Sequence, residues 1–572
     1  MPRATALDPT YRAAAWRELT TADPLDVLVV GGGVTGAGVA LDAVTRGLRV
    51  GLVEQRDLAS GTSSRSSKLF HGGVRYLEQM NFGLVREALR ERELMLTRLA
   101  PHLVRAVSFL YPLERGWERP YVTAGLTLYD QMGGERSVPG HRQLSRARVK
   151  QVAPGLRDGA HQGGLLYHDA QADDARHTLT VARTAATYGA SILTSAQVVG
   201  LLEDGERVVG ATVLDVETGE EHQVRACCVI VCAGVWTDAV QSLVGGDLPF
   251  RVRASKGVHV VVPRDRIDSS TGLILRTESS VLFCIPWGSH WLIGTTDTDW
   301  SHDLAHPSAT RADVDYLLAE INEVLARPLV PEDVEGVFAG LRPLLAEGDD
   351  EGSTASLSRE HAVARTRPGL VCVAGGKYTT YRVMAKDAVE AASEDLDDTL
   401  RECITDEVPL IGADGYRVLV NQAERIARDH GFPVWRVQHL LDRFGGLVDT
   451  LLDLGAADPT LLAPVPGAQE YLQVEIVHAV THEGALHLED VLCRRTRISI
   501  EERDRGVAAA PAVADLMAPH LGWDEEARDR EVAAYLARVE AERLSQVMPD
   551  DASSDAARLA APEVREVRPL SR

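Results

Sequence analysis

Apolar residues gather along this chain in short runs whose period changes from one region to the next. Residues 26–54 read DVLVVGGGVTGAGVALDAVTRGLRVGLVE. Val27 to Val30 are a continuous β-branched run; a Gly-rich turn, an Ala-rich helical stretch and a second run from Val50 to Val53 follow. Such continuous runs mark strands buried on both faces, so the segment predicts a parallel βαβ unit. Further strands are predicted in SILTSAQVVGLLE, ERVVGATVLDV, CCVIVCAG, VHVVVP, VLFCIPW and HWLIGTTDTD. Residues 185–300 are thus expected to form a strand-rich substrate domain inserted into a cofactor domain. From Gly369, GLVCVAGGKYTTYRVMAKDAVEAA returns to strand, Gly turn and helix. Past residue 400, YRVLVNQAERIARDHG and YLQVEIVHAVTHEGALHLEDVLCRR carry a helical period. The expected organisation is a leader at 1–24, a cofactor domain with interleaved substrate domain at 25–400, and a helical C-terminal domain at 401–548. The polar, Ala/Asp/Ser-rich residues 549–572 are expected to be a disordered tail.

Charge narrows the function classes. The chain carries 60 Lys and Arg against 83 Asp and Glu, a formal charge of −23. That excludes nucleic acid as the expected partner, because phosphate-backbone binding needs a basic face. An anionic ligand would require a few cations gathered in one pocket against the overall field. Seven cysteines without a C-x-x-C pair read as reduced thiols, and no metal site is expected. The start, MPRATALDPTYRAAAWREL, lacks the apolar core of a secretory signal. No stretch approaches the roughly 20 apolar residues of a membrane span. The expected location is the cytoplasm.

Three motifs carry chemistry. Gly31-x-Gly33-x-x-Gly36 follows a strand and opens a helix, with Glu54 ending the next strand. Its glycines allow a tight turn, close approach of a pyrophosphate and close helix–strand packing, and the helix N-terminus faces the phosphates. Glu54 is spaced to bond a ribose hydroxyl pair, which leaves both NAD and FAD open. Residues 60–78, SGTSSRSSKLFHGGVRYLE, are too polar for a strand and rich in donors for phosphates or a flavin edge. On composition alone they are equally a polar loop. Residues 374–382, AGGKYTTYR, form a strand end, a Gly turn and a helix start. A helix N-terminus there suits the negative charge of a reduced flavin; taken alone, it is a capped helix after a strand.

In this order, GGGVTGAGVALDAVTRGLRVGLVE, SSKLFHGGVRYLE, KGVHVVVP, FCIPW, IGTTD, GLRPLL and GGKYTTYR resemble the FAD-dependent glycerol-3-phosphate dehydrogenases. The similarity runs from Asp26 to Met384, and VEIVHAVTHEGALHLEDVLCRRTR resembles that family's C-terminal cap. The resemblance implies an α/β fold: a glutathione-reductase-like, Rossmann FAD-binding domain, an inserted, mostly antiparallel β-sheet substrate domain and an α-helical C-terminal domain. It implies oxidation of glycerol 3-phosphate to dihydroxyacetone phosphate, with a quinone as acceptor, peripheral membrane contact and a homodimer. Matching positions offer Arg75, Tyr76, Arg342, Arg359 and Lys377 to the substrate, with His259 as base and Arg342 and Lys377 at the alkoxide and flavin edge. Carried over to FAD, beside Gly31, Gly33, Gly36 and Glu54, are Ser67, Lys68, His71, Gly72, Gly73, Val198, Ala233, Gly234, Trp236, Gly376, Lys377 and Thr379. Asp297 is an anchor whose contact the sequence does not reveal.

Two alternatives stay open. Oxygen-using glycerophosphate oxidases tend to carry an insertion that is not seen between His141 and Asp350. A non-catalytic flavin-binding scaffold would leave its flavin unreduced by glycerol 3-phosphate. An amine or amino-acid oxidase would need fewer cations than this chain supplies.

Overall fold

The computed structural model describes residues 4–73, 80–113, 115, 118–133, 137–243, 250–277, 281–346, 360–396 and 400–569. Arg75, Tyr76 and Arg359 lie outside the described residues. The apolar run Leu25–Val30 is the middle of a twisted sheet, flanked in parallel by Val50–Val53 and Glu221–Val231. Ser191–Leu193 and Leu370–Gly375 extend it in parallel, and His361–Arg367 closes one edge antiparallel. Helix Val34–Thr45 covers one face together with helices Asp174–Thr187 and Tyr381–Ala391. On the other face a hairpin, Ala196–Asp204 and Arg207–Asp215, pairs with the start of Glu221–Val231. Coverage on both faces explains why the central strands show no polar alternation.

Among the described residues the second sheet has ten strands, all antiparallel except where Gly272–Arg276 runs beside Val104–Pro112. Its centre is the long strand Arg251–Pro263, paired with His290–Gly294 on one side and Gly336–Ala346 on the other. The expected boundaries of the substrate domain shift here. Strands between 191 and 231 belong to the cofactor sheet, whereas Val104–Pro112, Gly164–Ala172 and Gly336–Ala346 join the substrate sheet. Period-2 patterning marks a strand, but the choice of sheet is made by long-range pairing.

Beyond residue 400 the chain is helical around two apolar clusters, one including Val437, Leu441 and Leu451, the other Ile476, Val513 and Tyr535. Residues 549–569 of the segment expected to be a disordered tail are ordered. Asp550 caps helix Asp551–Arg558 by accepting from Ser553 N. The Ser554 hydroxyl is buried 2.8 Å from that of Ser308, and Asp551 pairs with buried Lys256. Further on, Arg565 holds Asp490 through two bonds of 2.9 and 2.7 Å and Ser195 Oγ at 2.8 Å. A hydrophobicity count misses such a segment because paired charges fix it to the rest of the protein.

Those contacts continue inward. Asp490 also binds Arg494 at 2.6 Å, and Arg494 and Arg495 together clamp Asp57, three residues after Glu54. Arg497 bridges Asp173 and Asp174 at 2.5 Å. The cofactor domain and the C-terminal domain thus meet through buried, doubly paired arginines, the geometry in which an ion pair offsets its desolvation.

Candidate active site

The two sheets enclose a cavity of about 890 Å³. Its floor is the turn after the first strand. Gly31 has φ +112°, and a Cβ there would sit 2.6 Å from the Cys232 carbonyl oxygen. Gly33 begins helix Val34–Thr45, so the N–H groups of its first turn face the cavity end of the strand. Ser63 Oγ takes the Val34 N–H at 2.9 Å. At the far end Glu54 accepts from Gly32 N at 2.7 Å and Arg56 N at 2.9 Å, and burial pushes its pKa up.

The opposite wall carries the cations. Arg342 projects from strand Gly336–Ala346 directly across from Ser255. Its Nη1 lies 3.2 Å from Ser255 Oγ and 3.3 Å from Asp297, and its Nη2 lies 3.2 Å from both Thr295 Oγ1 and the Thr296 carbonyl. Lys377 follows Gly375 (φ +72°) and Gly376 (φ +86°), a left-handed pair that only glycine adopts cheaply. The Lys377 ammonium nitrogen is buried at the cavity wall. His259 stacks on Phe338, centroids 4.8 Å apart, and its Nε2 lies 2.9 Å from Ser67 Oγ. Burial, then Arg342 and Lys68, push its pKa down to about 3, so the imidazole is neutral at pH 7.

Fifteen of the expected positions line this one cavity: Gly31, Gly33, Glu54, Ser67, His71, Gly73, Val198, Ala233, Gly234, Trp236, His259, Arg342, Gly376, Lys377 and Thr379. Three do not. Gly36 sits behind the turn, where a Cβ would meet Gly31 O at 1.9 Å; its role is packing. Lys68 turns its ammonium away, to Asp174 at 2.7 Å and the Ser64 carbonyl at 3.1 Å. Gly72 donates its N–H to the Tyr129 hydroxyl and has Leu89 where a side chain would go. Tyr378 has no sequence signal beyond its place beside Lys377. It donates to the Asp174 carbonyl at 2.7 Å and approaches Thr178 and His177 at 3.0 Å, tying the Lys377 turn to helix Asp174–Thr187. Helix Glu118–Met132 carries no motif at all, yet it walls the cavity with Tyr121, Val122, Leu126 and Leu128.

The family described as FAD dependent oxidoreductase matches residues 26–386, and the C-terminal domain of alpha-glycerophosphate oxidase matches residues 403–528. Glycerol-3-phosphate dehydrogenase 2 of Mycobacterium tuberculosis is 59% identical over 563 residues, 98% of this chain and 96% of that protein. The human mitochondrial glycerol-3-phosphate dehydrogenase is 35% identical, over 91% of this chain and 73% of its own length. The chain belongs to the FAD-dependent glycerol-3-phosphate dehydrogenase family. The crystal structure of the glycerol-3-phosphate dehydrogenase from Bacillus halodurans complexed with FAD superposes with a TM-score of 0.76 at 30% identity, covering 93% of this chain and 98% of that one.

The cradle fits the family's cofactor, FAD. A Cβ at Gly31 would strike the Cys232 carbonyl, while Gly33, where a Cβ would meet only Ser63 Oγ, leaves the helix N-terminus bare toward the cavity. Glu54 closes the far end of the same turn, a pattern that suits a dinucleotide. Around it the dehydrogenase fold keeps several histidines neutral. Burial pushes His102 and His177, like His259, down to about 3. With folded values below the usual 6.5, their contribution is complete above pH 6.5 and is lost as pH falls toward 3. His487 runs the other way. Burial and Arg565 oppose its charge, but the carboxylates of Glu217 and Glu531 raise it to about 9. Its contribution is complete below pH 6.5 and fades as pH rises through 9. Thermal stability should therefore peak near pH 6.5–7 and fall at pH 5, by on the order of 1–2 kcal/mol per neutral histidine. A melting temperature still climbing from pH 7 to 9 would contradict this.

Proposed function

We propose that this protein oxidises sn-glycerol 3-phosphate to dihydroxyacetone phosphate with FAD and passes the electrons to a quinone. The observation that carries the reading is a half-buried arginine and a lysine with a buried ammonium nitrogen on the wall of a flavin-type cavity, in a chain of net charge −23. A substrate close to a dianion is desolvated only where cations replace its water. Arg75, Tyr76 and Arg359 are assigned to the phosphate. Arg342 and Lys377 add to that field and hold the C2 oxygen as it gains charge. Bound FAD supplies a hydride acceptor at its N5. His259, whose Nε2 lies 2.9 Å from Ser67 Oγ, is assigned as the base that takes the hydroxyl proton. A dianion beside Arg342 offsets the guanidinium and lifts the imidazole toward the range of a useful base.

Arg359→Ala should raise KM for glycerol 3-phosphate about tenfold or more with little change in kcat, as loss of uniform phosphate binding does. Steady-state kinetics decide it, and an unchanged KM would remove Arg359 from the site.

For the acceptor, the cavity lining supports a quinone. Besides the cations it includes Tyr111, Val122, Leu126 and Phe283, a surface suited to an apolar ring and poorly suited to a dianion. Met80, Phe82, Tyr121 and Leu128 stand exposed at the rim, which favours contact with a lipid surface. No helix among the described residues is long and apolar enough to cross a membrane. A homodimer and a cytoplasmic location complete the reading. The test is anaerobic addition of glycerol 3-phosphate, followed by oxygen or a quinone analogue. Bleaching of the flavin with fast recovery only by quinone is the expected result. Fast recovery by oxygen would make the protein an oxidase, and no bleaching would end the substrate assignment.

A further inference from the structure

Arg342 is held on the cavity wall by several anchors, and one of them is a carboxylate. An acid beside an anion site weakens the field that attracts substrate, so its presence calls for a separate reason. The side chain of Arg342 is long and rotamer-rich, and each loose torsion spreads its charge over several positions. Four acceptors from two chain segments remove that freedom: Ser255 on the paired strand, and Thr295, the Thr296 carbonyl and Asp297 along the following turn. Ser255, fully buried, also donates to Asp297 through a short bond, so the carboxylate and the hydroxyl brace each other before either meets the guanidinium. The 3.3 Å separation of Arg342 Nη1 from Asp297 is longer than the roughly 2.7–2.9 Å of a tight charge-assisted pair. Space is reserved as well. A Cβ at Gly257 would stand 2.6 Å from Arg342 Nη2 and 2.6 Å from Thr295 Oγ1.

We propose that Asp297 is a positioning residue which, with Ser255 and the bare Gly257 backbone, forms a socket aiming Arg342 at the substrate C2 oxygen. The inference rests on the role given to Arg342 above. Displacing a transition-state group by about 1 Å can cost up to 10²-fold in rate. Asp297→Asn and Gly257→Ala disturb the socket by opposite means, one removing a carboxylate and the other adding a methyl. Each should lower kcat per bound flavin about tenfold, with KM for glycerol 3-phosphate within threefold and flavin content and melting temperature unchanged. In an Arg342→Ala background either change should matter less than twofold, because the group they act through is gone. Full multiplication of the effects, or single variants within twofold of the parent, would overturn the socket. Should Asp297→Asn fail to hold flavin, Gly257→Ala and its double variant decide the question by the same comparison. If Arg342→Ala alone leaves the kinetics unchanged, the role of Arg342 fails first and the socket falls with it.

Discussion

Replacing Lys377 with alanine should lower the rate of flavin reduction by glycerol 3-phosphate about 10²–10³-fold while the purified protein stays yellow. The size follows from removing one preorganised donor aimed at developing charge in a water-poor site. The separation from cofactor binding follows from position. Lys377 sits beyond the Gly375–Gly376 turn on the cavity wall, whereas the phosphate turn at Gly31–Gly33 and the acid at Glu54 lie on other segments. Its ammonium nitrogen is buried at the cavity wall, where a charge meets little water. Stopped-flow reduction under anaerobic conditions is the measurement. A rate within threefold of the parent would remove Lys377 from the chemistry, and a colourless protein would show that it holds FAD instead.

Gly36→Val should abolish the holoprotein. The added Cβ alone would stand 1.9 Å from the Gly31 carbonyl oxygen and 3.4 Å from Cys232 Cβ, and valine brings two more carbons. Backbone is the obstacle on the near side, so no side-chain rotation relieves it. Overpacking of this kind costs roughly 3 kcal/mol or more, and here it distorts the turn that receives the pyrophosphate. Gly33→Ala provides the contrast. Its Cβ would meet only Ser63 Oγ, at 3.2 Å, a contact a small shift of the hydroxyl relieves. Melting temperature should separate the two, with Gly36→Val colourless and destabilised and Gly33→Ala as stable as the parent even where its methyl crowds the pyrophosphate. Normal flavin in Gly36→Val would refute the packing argument.

The turn from Gly31 to Gly36 is legible in the sequence because strand, glycines, helix and acid are local and in order. The cationic wall is legible only through the family likeness. Nothing local tells Arg342 from a surface arginine; strand pairing brings it opposite Ser255 and beside Asp297. Lys68 shows the converse. A lysine in a hydroxyl-rich loop suggests a ligand contact, yet Asp174, distant in sequence, claims its charge. The last segment reads as disordered because Asp551 and Arg565 look solvated until Lys256 and Asp490 are known to face them. Sheet membership escapes for the same reason: it is decided by pairing between distant segments, which periodicity does not encode.

The brace on Asp57 has a consequence for biosynthesis. The loop that carries Asp57 is synthesised early in translation, but Arg494, Arg495 and Arg565, which hold it directly or through Asp490, come more than 400 residues later in the chain. At ribosomal speeds of about 5–20 residues per second, that leaves Asp57 a buried-to-be carboxylate with no arginine for roughly 20–100 s. Closure of the loop by its arginines therefore waits for synthesis of residues 490–565, and codon changes that slow that stretch would lengthen the interval before Asp57 is paired.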